Sequence, residues 1–506
     1  MLAAIRSAAV LGIDAYDITV EVDATQGLPQ WTIVGLPLGA VKESRERVGS
    51  ALVNSGFALP PRRITINLAP ADVRKDGTAF DLPIALGILV ATGQLPSHAV
   101  EGRVFVGELG LDGSVRSIRG ALPIARRTAV RSDSAELVLP LPNVGEAARV
   151  TTLRLAAPEN LRVLTGELRN GSLSRAKNGK APHLRQESLL DFADVVGQQT
   201  AKRALEVAAA GGHNLCMTGP PGAGKTMLAR RLSGILPELS ELESLEVIAI
   251  HSVAGLLPGD VPAICPRPFR APHHSISSAG LIGGGSTPRP GEVSLAHHGV
   301  LFLDEMLEFP RSVLEGLRQP MEDGRVVISR AAMSVAFPAL FTLVGATNPC
   351  PCGRLGDGTS TCICSSKDVQ HYAKRISGPL ADRIDMHVVV GRVALGDLSA
   401  KKGGESSLDI RKRVSGARAR QRARYAAVEG VGCNAHAPGR WIDARGSVAP
   451  RARSLLQRAA NGLALSARGY HRVLKVARTI ADLDDSATVA TVHIAEALRY
   501  RQATVD

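Results

Sequence analysis

The sequence predicts an α/β fold in which a three-layer P-loop core carries an α-helical lid at its C-terminal side and an α+β domain at its N-terminal side. Three observations carry this. A complete GxxxxGK[ST] motif, Gly219 to Thr226, follows a strand-like run, Asn214–Thr218, and opens a helix-like one, Met227–Ile235. An apolar run, Val300–Leu303, ends in two carboxylates, Asp304 and Glu305. The 506 residues, at about 150 per domain, allow about three domains, and polar stretches fall where two boundaries are needed.

Taken in order, residues 1–165 read as the α+β domain. Asp17–Val22 and Arg63–Leu68 alternate as strands do, Gly39–Ser55 has helical spacing, and Phe80–Thr92 reads as a buried helix. Arg103–Leu111 reads as a strand that turns at Asp112-Gly113. Gly166–Gln186 is rich in Gly, Ser, Asn, Lys and Arg with little to bury, so 166–188 is predicted to be a linker. The core follows over 189–396, with buried-strand patterns at Leu215–Thr218, Gly299–Leu303 and Thr342–Ala346. A polar patch, Ser399–Ser407, introduces a basic helical lid over 397–506.

Hydrophobic residues at 45% and charged ones at 21% are ordinary for a globular protein. Aromatics at 3% argue against base-stacking platforms. The net charge of +13 points to an anionic partner, and residues 401–506, with 20 Lys+Arg against 9 Asp+Glu, hold most of it. No run approaches the ~20 apolar residues of a membrane span, and the N-terminus makes a poor signal peptide. Seven cysteines do not form a disulfide scaffold, so a cytoplasmic setting is expected.

In the motif, Gly219, Pro220, Pro221, Gly222, Ala223 and Gly224 form the phosphate cradle, and Met227 continues the helix whose N-terminus faces the phosphates. Lys225 would reach the β- and γ-phosphates of ATP, and Thr226 would ligate Mg2+. Asp304 would hold the same Mg2+, and Glu305 would polarise the attacking water. Two carboxylates downstream of such a cradle predict hydrolysis rather than binding alone.

Phe192-Ala-Asp-Val-Val-Gly-Gln198, the Leu301-Phe-Leu-Asp-Glu305 strand and Ala346-Thr-Asn348 together resemble an AAA+ ATPase. Arg270-Ala-Pro-His-His274, residues 289–299, Ser377-Gly-Pro-Leu-Ala-Asp-Arg-Ile-Asp385 and residues 465–472 resemble the magnesium-chelatase-like ATPases of the ComM/YifB family. The resemblance spans nearly the whole chain. It implies that Asn348 is a first sensor orienting the lytic water, Arg383 an arginine finger supplied to a neighbouring subunit, and Arg472 a second sensor. It therefore implies a homohexamer, formed in a nucleotide-dependent way.

Cys350, Cys352, Cys362 and Cys364 fall within fifteen residues, at C-x-C-x9-C-x-C. Four thiolates around a structural Zn2+ would rigidify a loop with little apolar content; free thiols and a redox disulfide are the alternatives. The pairs His273–His274 and His297–His298 are expected to be structural, because adjacent side chains rarely ligate one metal together and no carboxylate spacing supports it.

In the N-terminal domain, residues 74–80 and 107–120 resemble the proteolytic (S5-type) domain of Lon proteases. Its nucleophile's position holds Ala79, and its lysine's position holds Leu122. Without nucleophile or activating amine, the expectation is an inactive domain used for structure or docking. Ser278–Glu292, with Arg289, and Gly324–Ala331, with Arg325 and Arg330, are candidate pore-lining elements; the basic stretch Arg411–Arg424 adds phosphate-neutralising capacity. The leading expectation is a motor on single-stranded or branched DNA, read without sequence specificity, performing branch migration in recombination or DNA uptake. The alternative is a chelatase-type ATPase that remodels a partner protein without moving DNA. A Lon-like protease is opposed by Ala79 and Leu122.

Overall fold

The computed structural model describes residues 2–501 apart from 74, 132–135, 177–189, 258–264, 286, 331–332, 357–360 and 394–403. Most of the predicted linker and much of the 399–407 patch thus lie outside the described residues. What is described of the linker corrects its start. Residues 166–169 close a helix, Leu161–Arg169, which buries Leu161, Leu164 and Leu168 and is capped by Asn160 accepting from the Val163 amide at 2.9 Å. Helical spacing of three leucines outweighs the polar composition.

The N-terminal domain holds a four-stranded sheet in the order Leu2–Leu11, Asp14–Thr25, Arg63–Ala69, Gln30–Val34, antiparallel except for the last pair. The first strand is an addition to the sequence reading. Small residues blur its alternation, yet Ala3, Ile5, Ser7 and Ala9 all point inward. The helix Asp81–Ala91 has every residue buried, with Asp81 paired to Arg47 at 2.7 Å. The run 103–111 is two short strands rather than one, Arg103–Phe105 and Glu108–Leu109, with Asp112-Gly113 at the expected turn. The region 39–55 is likewise two helices, Gly39–Lys42 and Ser44–Asn54.

The core is a five-stranded parallel sheet in the order Phe269–Arg270, Val300–Leu303, Thr342–Thr347, Leu215–Thr218, Met386–Val389. Its central strands are buried on both faces, as helices covering a parallel sheet require. The 324–331 run forms an antiparallel hairpin, Arg325–Arg330 with Met333–Pro338, while 278–292 forms a short helix and a small ribbon, Gly283–Gly284 with Arg289–Pro290. No helix among the described residues is long and apolar enough to cross a membrane.

The lid corrects the reading of its charge. On the long helix Ser407–Tyr425, Arg411 donates to Gly234 O (2.8 and 2.6 Å) and Arg418 to Ala209 O (3.1 and 3.0 Å). Those carbonyls end the core helices Lys225–Ile235 and Gln199–Gly211. The arginines thus cap helix C-termini, where carbonyls lack intrahelical partners and the dipole favours cations. Arg413 pairs with Glu206 at 2.6 Å, and Lys412 with Asp409 at 3.0 Å. Much of the stretch predicted to neutralise phosphates is therefore engaged within the chain.

The helix Ala467–Leu483 is fixed by an ionic cluster. Asp482, fully buried, accepts from Arg424 at 2.8 Å, Arg478 at 3.2 Å and Asn434 at 2.9 Å. Removing the carboxylate would leave Arg478, buried from water, and the partly buried Arg424 without their counter-ion. Asp482→Ala is therefore expected to destabilise the lid by about 3–5 kcal/mol, read as a lowered calorimetric transition temperature.

Candidate nucleotide-hydrolysis site

The phosphate cradle forms because the strand Leu215–Thr218 must turn at once into the helix Lys225–Ile235. A Cβ at Gly219 would lie 2.1 Å from Val390 O, and Gly222 and Gly224 take φ of +77° and +88°. The turn surrounds a cavity of about 390 Å3 lined by residues 221–227, Asp304, Glu305 and Asn348. The sequence reading of this half is thereby gathered into one place.

Within it the polar groups are already partnered. Lys225 Nζ donates to Gly219 O (2.5 Å), Pro220 O (3.1 Å) and Asn348 Oδ1 (3.1 Å). Burial pushes its ammonium below the usual lysine range, against the pull of Asp304 and Glu305. Thr226 Oγ1 donates to Asp304 Oδ2 at 2.7 Å, so a hydroxyl and a carboxylate are paired where one divalent cation would take both. Glu305 adopts φ +49° just past the strand end, which exposes its carboxylate to the cavity. His274 Nδ1 stands 3.8 Å from Glu305 Oε2. Sequence reasoning set this histidine aside as structural, since nothing in its spacing ties it to a residue 31 positions away.

Arg383 and Arg472 are elsewhere. The turn that carries Arg383 is anchored at the start of the strand Leu215–Thr218: Asn214 Nδ2 donates to Arg383 O (3.0 Å), and the Asn214 amide to Asp385 Oδ2 (3.1 Å). Arg472 Nε lies 3.4 Å from Asp385 Oδ1. Burial opposes charge on Asp385, yet His213 and then Arg472 and Lys475 hold its carboxyl below the usual range. Both arginines line a second cavity of about 450 Å3, with Glu322 and Lys475, at the opposite end of the strand from the cradle. Among the described residues, nothing hydrogen-bonds the buried Arg383 Nε or Arg472 Nη1. An unmet buried donor costs about 1–3 kcal/mol; the rest of each guanidinium is met by the chain's own carboxylates, Glu322 on Arg383 and Asp385 on Arg472.

The four cysteines converge. Sγ–Sγ distances are 3.4 Å (Cys350–Cys352), 3.7 Å (Cys350–Cys362) and 3.6 Å (Cys352–Cys362), and Cys364 Sγ is within 4.8 Å of the rest. Four sulfurs at about 2.3 Å from one Zn2+ would be about 3.8 Å apart, so the cluster fits that metal. The amides of Arg354 and Ile363 donate to Cys352 and hold its thiol down to about 6. Residues 357–360 of this loop lie outside the described residues. Gly353 packs on the cradle: a Cβ there would sit 2.7 Å from Pro221 Cδ.

A second cluster corrects one premise. Glu246 supplies the carboxylate that spacing did not reveal, at 3.1 Å from His297 Nε2 and 2.7 Å from His298 Nε2. The three ligand atoms lie within 4.8 Å of one another, and one hydrogen bond favours the structural reading. The Leu340 amide donates to His297 Nδ1 at 2.9 Å, which leaves the proton on Nε2 and directs it at Glu246 rather than at a metal.

The two candidate pore elements touch. A Cβ on Gly283 would lie 3.0 Å from Ile328 Cδ1, so ribbon and hairpin stand side by side. Val326, Ile328, Val335 and Phe337 face inward, while Arg325, Ser329 and Arg289 face solvent. Arg330's side chain lies outside what is described. Leu122 is buried against Leu239, Val247 and Ile248 of the core, and its amide donates to Glu146 at 3.1 Å.

Known proteins resemble this chain along its whole length. Residues 191–398 match the family described as magnesium chelatase, subunit ChlI; residues 20–143 match subunit ChlI of Mg-chelatase, and residues 404–501 the ChlI C-terminal family. The chain is 42% identical to the competence protein ComM of Haemophilus influenzae, covering 99% of this chain and 97% of that protein. It is 40% identical to the uncharacterized protein YifB of Escherichia coli (99% and 97% covered). A protein of Mycobacterium tuberculosis is 44% identical, with 98% of each chain covered.

The contact between cysteine loop and cradle has a direct consequence. Gly353→Ala places a Cβ on Pro221 in a left-handed conformation that costs about 1–2 kcal/mol. A fluorescent ATP analogue is expected to bind about five- to thirtyfold more weakly, measured by anisotropy titration.

Proposed function

Because the chain belongs to the ComM/YifB family of magnesium-chelatase-like AAA+ ATPases, we propose that it is an ATP-driven ring motor acting on DNA in the cytoplasm, with helicase or branch-migration activity in recombination or uptake of transforming DNA. The observation that carries this reading is the separation of the cradle from Arg383 and Arg472. Each copy holds half of a hydrolytic site at each end of its sheet, which favours a closed ring, a homohexamer assembled with nucleotide. Both arginines would then serve a neighbour's ATP, Arg472 included.

In that site Thr226 and Asp304 would hold Mg2+, which when bound would supply charge neutralisation at the phosphates. Lys225 exchanges its carbonyl partners for phosphate oxygens, and Asn348, released from Lys225, orients the water. Glu305 accepts the water's proton, and Arg383 meets the charge developing on the transferred phosphoryl group.

Arg289 and Arg325 on the adjoining hairpins suit contact with a phosphate backbone rather than with base edges. A relative named for competence points the same way. The four cysteines are read as a structural zinc site bracing Asn348. The N-terminal domain, with Ala79 and Leu122 in place of a dyad, is read as a docking domain bolted to the motor through Leu122. The family models' chelatase descriptions favour the rival reading, a protein-remodelling ATPase without DNA translocation.

Steady-state ATP hydrolysis with and without single-stranded and forked DNA separates the two. Stimulation that fades at higher salt is expected; equal rates with and without DNA would favour the remodelling reading. Glu305→Gln is expected to lower turnover about 10²–10⁴-fold while sparing ATP binding. Protein purified without chelators is expected to hold about one Zn2+ per chain by mass spectrometry of the metal, and less than about half would refute the zinc reading.

A further inference from the structure

Arg383 is not free in its own subunit. Its guanidinium is clasped by the Glu322 carboxylate and donates through Nη1 to Pro379 O at 2.5 Å. Arg468, at the start of the lid helix Ala467–Leu483, comes within 3.9 Å of the same carboxylate. Glu322 thus closes on the finger from one side while leaving its buried Nε unpartnered.

Glu322 also stands at the root of the hairpin. It belongs to the short helix Arg318–Asp323, which ends at Gly324 and passes directly into the strand beginning at Arg325. Both hairpin strands are tied to that helix end: the Gly324 amide donates to Pro320 O at 2.9 Å, and the Ala339 amide to Gly324 O at 2.8 Å. A displacement of the hairpin must therefore move the helix that carries Glu322.

We propose that Glu322 is a positioning residue that holds the Arg383 finger withdrawn, and that loading DNA on the hairpin Arg325–Pro338 loosens this hold, so that DNA engagement in one subunit sets hydrolysis in its neighbour. The inference rests on the reading of Arg383 as a finger acting between subunits and of the hairpin as a DNA contact. The chemistry suits a latch. Glu322 is 48% exposed while Arg383 is 9% exposed, so the carboxylate is well hydrated and its hold is weak enough for a phosphate to displace. An oxygen of a neighbour's phosphate would replace the carboxylate and also meet the unpartnered Nε, which Glu322 leaves empty. The two partners are thus alternatives for one guanidinium.

The test compares ATP hydrolysis by full-length wild type, Glu322→Gln, Glu322→Asp and Arg383→Ala, each with and without forked DNA, on preparations matched for ring assembly by size-exclusion chromatography. Glu322→Gln keeps the shape and removes the charge. Its DNA-free rate is expected to rise about two- to fivefold, the effect of losing a half-exposed ion pair, while its DNA-stimulated rate and KM for ATP stay at wild-type values; Glu322→Asp is expected to restore DNA dependence. Rates that fall together with and without DNA, or that do not change, overturn the latch. The readings beneath it fail separately: Arg383→Ala with wild-type turnover refutes the finger, and wild type that ignores DNA refutes the hairpin's role.

Discussion

Parallel strands share a direction, so the groups that follow them gather at one edge of the sheet and the groups that precede them at the other. Gly219, Asp304 and Asn348 each follow a strand, and they converge on the cradle. Asn214 precedes the same strand that Gly219 follows, and it anchors the turn bearing Asp385 and Arg383. A strand of four residues spans about 13 Å, and no rotamer of Arg383 bridges that distance around a packed sheet. On the proposed reading the ring is therefore a consequence of strand polarity: phosphate and guanidinium can meet only across a boundary between two copies.

The lid shows how a charge excess can mislead. Eleven surplus positive charges in one hundred and six residues suggest an electrostatic surface, yet many of these arginines turn inward to carbonyls and carboxylates. The guanidinium suits this because its planar fork offers several donors to one buried acceptor group. Net charge counts side chains without regard to where their heads end. Lid and core share one continuous apolar cluster, and hydrogen bonds from long side chains add to it, so a shift of the lid would be felt at the ends of the helix that follows the cradle.

Much of the site was legible because its chemistry demands fixed residue types at fixed spacing. The cradle, the strand before Asp304 and the hairpin after Gly324 each have a local signature. The strand Leu2–Leu11 lacks one, since its paired alanines, Ala3-Ala4 and Ala8-Ala9, carry little contrast. What depends on tertiary approach left no trace in the sequence: His274 beside Glu305, Glu246 beside the paired histidines, Glu322 on Arg383. These pairs are separated by tens of residues and follow from how strands and helices stack. The linker starts later than its composition suggests for a different reason: the leucine spacing of 161–168 outweighs the polar residues that follow.

The cysteine loop brings the two kinds of information together. On the proposed reading Asn348 must hold its amide to within a fraction of an ångström to direct a water, yet only Pro349 separates it from a loop with almost no core of its own, in which Ile363 is 82% exposed. Hydrophobic packing cannot brace such a segment. Sulfurs already gathered near tetrahedral spacing can, if a metal draws them together. Gly353, lying on Pro221, then passes that rigidity to the cradle as well. On the proposed reading one cross-link supports both the group that orients water and the turn that binds phosphate, in a part of the chain where no apolar cluster could do so.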